Sequence, residues 1–187
     1  MSWIDRIRDR LFGFGGAGLP KAQPAESRVC EIHPQVLSGF PERVLFVCSG
    51  NICRSAYGEY RFRQLAAASH PDTRVMSAGT LRIVGREAAP CMMAAAAARG
   101  LDLTPHRSNG LSRLLVDTAD VIFTMENVHR DALVQLSPCA QKIVMLGLWL
   151  DTPQPEIEDP MGKSPDVYER VADQLDEALR NWFAHYS

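Results

Sequence analysis

The sequence contains no C-x-x-C, no pair of histidines at metal-ligand spacing and no dense basic run. The first two absences argue against zinc, which gathers thiolates and imidazoles in such pairs; no metal and no other cofactor is expected. The third argues against nucleic acid as a partner: 20 Lys and Arg are offset by 22 Asp and Glu, for a net charge of −2. Apolar runs long enough to cross a bilayer are missing too, so no transmembrane segment is expected. Near the start, Asp5, Arg6, Arg8, Asp9 and Arg10 break up any apolar stretch of the kind a secretory signal needs. The cysteines are odd in number, and Cys30, Cys91 and Cys139 stand singly, so no secreted disulfide framework is legible. A reducing cytoplasm is the expected setting.

At 187 residues, 46% of them hydrophobic, the chain suffices for one well-packed core. Residues 1–42 differ from the rest. Ser2 to Phe14 is amphipathic as a helix, with Trp3, Ile4, Ile7 and Leu11 on one side. A linker rich in Gly, Pro and Ala follows. Within it, Gly13, Gly15 and Gly18 spell a literal G-x-G-x-x-G, but the dinucleotide fingerprint needs a strand before it and a helix after it. Here Leu19-Pro20 follows, so the stretch reads as linker. The extension suits a tail or partner contact better than a membrane-surface helix, because Asp5 and Asp9 dilute its arginines.

From residue 43 to residue 187 the pattern alternates between strand and helix. Val44 to Val47, Thr73 to Met76, the VIFTM run after Asp120, and the IVML run after Lys142 read as short buried strands. Ser55 to Ala68, Glu87 to Arg99 and Glu126 to Leu136 read as helices, the second ended by Gly100. A last helix opens with Ser164 as cap and Pro165 at its first position, and Val167, Val171, Leu175 and Leu179 form its core-facing stripe. Apolar strands alternating with helices imply an α/β fold, a doubly wound four-stranded parallel sheet with helices on both faces.

The chemistry concentrates in RVLFVCSGNICRSA, residues 43 to 56. This is a strand, a tight loop and a helix start, at the edge of the sheet where such folds bind ligands. Backbone N–H groups of the loop from Ser49 through Gly50, Asn51, Ile52 and Cys53 to Arg54 would cradle an anion beside the positive end of the helix dipole. Gly50 permits turns closed to other residues, and Asn51 tolerates left-handed backbone. Arg54 adds a planar fork matched to two phosphate oxygens. The same surroundings favour the thiolate of Cys48, making it a nucleophile beneath a dianion, with Ser55 placed to donate a hydrogen bond to it.

C-x-G-N-x-C-R-S after an apolar strand resembles the low-molecular-weight protein tyrosine phosphatase family, over about residues 43 to 185. Ser77 to Thr80 (SAGT), the DVIFTME segment and Glu158-Asp159-Pro160 fall where that family has matching features. MLGLWLD, residues 145 to 151, looks most like bacterial members that serve exopolysaccharide export. The resemblance implies hydrolysis of phosphotyrosine through a cysteinyl-phosphate, with a protein substrate such as a bacterial tyrosine kinase. A general acid must then protonate the departing phenolate. Asp151, Glu156, Glu158 and Asp159 are candidates in the loop after the fourth strand, and the family's Asp-Pro selects Asp159.

Several residues keep two readings. Cys53 is either a packing residue or, as the resemblance suggests, a partner that traps oxidised Cys48 as a disulfide. His106 sits where the family often has a structural histidine bonded toward the loop, whereas His33, His70, His129 and His185 carry no signal. Trp149 and Trp182 read as core. Arsenate reductases share the fold and loop but need a relay of closely spaced cysteines, which Cys91 and Cys139 do not provide. A related class that removes phosphate from arginine tends to carry threonine before the second loop cysteine, where this chain has Ile52. A cradle that binds phosphate without turnover is the remaining alternative. Two departures from the family pattern stand out: Met161-Gly162 replaces the usual cleft aromatics, and Ala56 replaces proline.

Overall fold

The computed structural model describes residues 39–186. Strands β1 (Arg43–Cys48), β2 (Arg74–Gly79), β3 (Val121–Thr124) and β4 (Ile143–Met145) form one sheet in the order β2-β1-β3-β4, every neighbour parallel. The helices are α1 (Arg54–Ala66), α2 (Pro90–Ala97), α3 (Arg113–Thr118), α4 (Asn127–Leu136) and α5 (Pro165–Tyr186). The expected doubly wound α/β arrangement is the one observed.

Strand β1 shows why its sequence is apolar almost throughout. Val44, Phe46 and Cys48 join one core with residues of α1, α2 and α5. Leu45 and Val47 join a second core with Val116 of α3 and Leu133 of α4. A strand covered on both faces has no polar side to show. Phe46, Phe62, Phe123 and Trp182 pack in a cluster, with centroid separations of 4.9 Å for Phe46–Phe123 and 5.2 Å for Phe123–Trp182. The stripe from Val167 to Leu179 is buried as its spacing implied. Asp176, also buried on α5, accepts a hydrogen bond from Tyr57 Oη at 2.7 Å and pairs with Arg61 at 2.8 Å, which pins α1 to α5.

The chain differs from its sequence reading in four places. Helix α2 starts at Pro90 and not at Glu87, because Ala89 is extended (φ −61°, ψ 135°), as a residue before proline prefers. The Ala89 N–H bonds instead to Ile52 O at 2.7 Å. Helix α3 was not anticipated, although Ser112 caps it by accepting from the Leu115 N–H. Strand β2 runs on to Gly79. Phe40, assigned to the linker, lies against Trp182 at 5.7 Å and stacks on His70 at 3.5 Å. The amphipathic segment Ser2 to Phe14, the glycine run, Cys30 and His33 lie outside the described residues. No described helix is long and apolar enough to cross a membrane.

Candidate active site

Because β1 and β3 are neighbours while their crossovers leave in opposite directions, the crevice at their carboxyl ends is the switch point of the sheet. Cys48 is the last residue of β1, and Arg54 the first of α1. The loop between them has its carbonyls tied on the outside. Cys48 O accepts from Thr80 N at 3.0 Å, Ser49 O from Leu81 N at 3.0 Å, and Ile52 O from Ala89 N. Asn51 O accepts from His106 Nε2 at 2.7 Å. With these carbonyls held outward, the loop is free to turn amides inward: Asn51 N–H lies 3.3 Å from Cys48 Sγ. No side chain caps the N-terminus of α1, so its positive end stays available to an anion.

The left-handed turn falls on Asn51 (φ 54°), and Gly50 does not take a positive φ, contrary to the expectation for that glycine. The glycine the loop depends on is Gly79, at the end of β2. A Cβ there would lie 2.8 Å from Ser49 O and 2.9 Å from Gly50 C, closer than backbone atoms allow.

Asn51 is fully buried and makes the loop's internal frame. Its Nδ2 donates to Ser55 Oγ at 2.8 Å and to Ser77 Oγ at 2.7 Å, and its Oδ1 accepts from Asn109 N at 2.7 Å. Ser77 in turn donates to Glu59. Since Ser55 Oγ accepts from Asn51, its own proton is free for Cys48 Sγ, 3.0 Å away. Ser55 thus stands where the sequence suggested it would support the sulfur.

Arg54 is 1% exposed and almost fully engaged. Nη1 donates to Glu126 Oε2 at 2.6 Å and to Ile157 O at 2.9 Å, and Nη2 pairs with Asp159 Oδ2 at 2.9 Å. Its Nε is buried without a partner among the described residues. The Nε–Nη2 edge is the one that offers two parallel donors to an oxyanion. Burial alone would weaken the guanidinium's hold on its proton; the charges of Cys48, Asp159 and Glu126 outweigh this and raise its pKa.

Among the four carboxyl candidates, only Asp159 reaches this centre. Asp151 accepts from Asn181, Glu156 accepts from Asn127 on its backbone and side chain, and Glu158 turns outward to Lys163 and Arg170. Asp159 Oδ1 accepts from Met161 N at 3.1 Å, while Gly162 (φ 77°) closes the turn. The Met161-Gly162 departure therefore makes a tight bend behind the Asp159 carboxyl in place of an aromatic wall. Cys53 is buried at the start of α1 as a free thiol; burial, then Cys48 and Asp159, push its pKa up. Cys91 packs on one face of the sheet and Cys139 on the other, so they cannot act as a pair. Trp182 is core; Trp149 is half-buried against His185 and Tyr186.

Two further side chains, Glu126 and His129, belong to the site. Glu126 ends the DVIFTME segment, and its position just past a buried strand is the signal that points to it. His129, read as carrying no signal, is fully buried with Nε2 3.0 Å from Ser49 Oγ. Nothing local in Asn127-Val128-His129 reveals that contact.

The model of the low molecular weight phosphotyrosine protein phosphatase family matches residues 43–187, and the chain belongs to this family of protein-tyrosine phosphatases. Its relatives sharpen the placement. Wzb of Salmonella typhi, named a low molecular weight protein-tyrosine-phosphatase, is 36% identical over 141 residues, covering 75% of this chain and 91% of its own. The structure of the tyrosine phosphatase AmsI of Erwinia amylovora superposes with a TM-score of 0.74 at 31% identity, covering 80% of this chain and 96% of that one. YwlE, known also from Bacillus subtilis and described as an arginine phosphatase, matches with a TM-score of 0.70 at 28% identity, covering 76% of this chain and 94% of that one.

Proposed function

We propose that this site hydrolyses phosphotyrosine in two displacements on phosphorus. Cys48 Sγ attacks as the P–O bond to the tyrosine breaks, and Asp159 gives its proton to the departing phenolate. A water molecule then attacks the cysteinyl-phosphate, Asp159 takes back a proton, and the S–P bond breaks to release phosphate and the thiolate. The amides of Ser49 to Arg54 and the Arg54 fork hold the phosphoryl oxygens throughout. Ser55 steadies the sulfur as it leaves, and His106 holds the loop through Asn51. The observation that carries this reading is that Arg54 follows the loop from Cys48 as the first residue of α1 and pairs with Asp159, on the fork that would grip the phosphate.

The natural substrate we infer is a phosphotyrosine protein of the cytoplasm, a tyrosine kinase of exopolysaccharide or capsule export. Support comes from MLGLWLD, which resembles members with that role, and from the likeness to Wzb and AmsI. Residues 43–187 would be the catalytic domain and residues 1–42 an extension to it. The test is hydrolysis of a phosphotyrosine peptide with chelator present, comparing the intact chain with Cys48→Ser and Asp159→Asn. Turnover lost in the first variant and steeply reduced in the second supports the reading; a phosphoryl group trapped on any residue other than Cys48 overturns it.

A further inference from the structure

The residue after the nucleophile is a serine, and a buried histidine holds it. His129 Nε2 lies 3.0 Å from Ser49 Oγ and 3.4 Å from Glu126 Oε2, while its Nδ1 is buried without a partner among the described residues. Burial and the neighbouring Arg54 charge push its pKa down to about 3, so the ring is neutral and carries one proton. On Nδ1 that proton would be an unpaired buried donor, and the bare Nε2 would face a carboxylate. On Nε2 it has two acceptors. The ring is therefore the Nε2–H tautomer, and it donates to Ser49 Oγ.

The consequence reaches the loop. A hydroxyl oxygen that accepts from His129 must point its own proton elsewhere, and Ser49 is half-buried at the start of the cradle, next to Cys48. Glu126 and His129, three residues apart at the start of α4, thus hold both ends of the loop: Glu126 fixes Arg54, and His129 fixes Ser49. We propose that the Ser49 hydroxyl is a further donor to the bound phosphoryl group, and that His129 is the positioning residue that aims it. This rests on the phosphatase reading of the site but concerns a side chain which that reading does not use.

Binding of inorganic phosphate to the full chain, followed by calorimetric titration, tests the proposal without any turnover. Failure of the intact chain to hydrolyse an aryl phosphate while it binds phosphate would count against the phosphatase reading alone. Ser49→Ala and His129→Leu should each weaken phosphate about tenfold, the scale of one hydrogen bond to a charged acceptor. The double variant should be no weaker than the worse single, because His129 acts through Ser49. His129→Gln, which keeps an N–H donor, should recover most of the loss at the same melting temperature as His129→Leu. The proposal is overturned if Ser49→Ala binds phosphate within twofold of the intact chain, if the two losses multiply, or if Gln is as weak as Leu. Should His129→Leu fail to fold, the Ser49→Ala comparison decides alone.

Discussion

Asp159 Oδ2 lies 2.9 Å from Arg54 Nη2, so the carboxyl assigned to move the proton is paired, before any substrate arrives, with the guanidinium assigned to hold the phosphate. A phosphoryl group that takes the Nε–Nη2 edge must displace that pairing. In the proposed mechanism this releases the carboxyl toward the leaving oxygen at the step where a proton is needed. Its side chain is 40% exposed, which leaves it room to swing.

Asp159→Asn should therefore reduce turnover according to the leaving group. For a phosphotyrosine peptide, whose phenolate leaves badly without a proton, kcat should drop by about 10²–10³. For an aryl phosphate with a strongly acidic phenol the drop should be far smaller. Steady-state kinetics on the two substrates decide it; equal losses on both would remove Asp159 from the proton-transfer role.

Arg54→Lys keeps a charge but loses the fork, and with it the separate bonds to Glu126, Ile157 and Asp159. A fall of at least about a hundredfold in kcat/KM is expected, as for loss of a preorganised donor to the transition state. Glu126→Gln, which still accepts from Nη1 but without charge, should cost roughly tenfold or less. An Arg54→Lys enzyme close to the intact chain in kcat/KM would contradict the geometry.

YwlE shares this fold with the tyrosine enzymes, so the fold does not choose between phosphotyrosine and phosphoarginine. Ile52 is half-buried in the loop and offers an apolar surface to an aromatic ring. Ile52→Thr should lower kcat/KM for a phosphotyrosine peptide and raise it for a phosphoarginine peptide, moving their ratio by about tenfold, the scale of one small side-chain difference in a pocket. A ratio that stays put would show that the selection lies elsewhere.

The loop and the parallel strand–helix alternation were legible in the sequence because both are local in kind. An apolar strand running into C-x-G-N-x-C-R-S places Cys48 and Arg54 six residues of chain apart, and strand–helix alternation places Asp159 on the same edge. Glu126 and His129 were not legible because their partners, Arg54 and Ser49, lie 72 and 80 residues away, brought near only by β1 pairing with β3. Gly79 was hidden for a similar reason: its lack of a side chain matters to a loop some 30 residues earlier, not to its own strand. The start of α2 was misplaced because alanines favour helix wherever they stand, whereas Ala89 answers to Pro90 and to Ile52 O.

His129 also predicts how stability varies with pH. In the unfolded chain it takes up a proton near its ordinary value of 6.5; in the folded protein it resists down to about 3. Between those values the unfolded state binds more protons, so stability rises with pH across this window and is lost as pH falls through it. The contribution is on the order of a few kcal/mol at most. Urea midpoints measured from pH 4 to pH 8 should show a slope that His129→Gln flattens below pH 6.5. An unchanged slope in the variant would mean that His129 takes up its proton as readily in the folded protein as in the unfolded chain.

Gly79→Ala isolates the shape of the cradle from its chemistry. The new methyl would meet Ser49 O at 2.8 Å and Gly50 C at 2.9 Å, backbone atoms that cannot rotate away as a side chain could. The strand end is itself fixed, since Gly79 N–H bonds to Asn109 O and Gly79 O accepts from Leu111 N. Relief must therefore come from the loop, whose amides would move off the positions that face the sulfur. Displacements of this kind cost catalysis steeply, about a hundredfold for 1 Å, while overpacking costs folding about 1–3 kcal/mol. The expected variant is folded, melts several degrees lower, and has lost most of its kcat/KM and its affinity for inorganic phosphate. If affinity and kcat/KM survive while only the melting temperature falls, the strain is absorbed by β2, and the close approach of Gly79 to the loop has no part in holding the cradle.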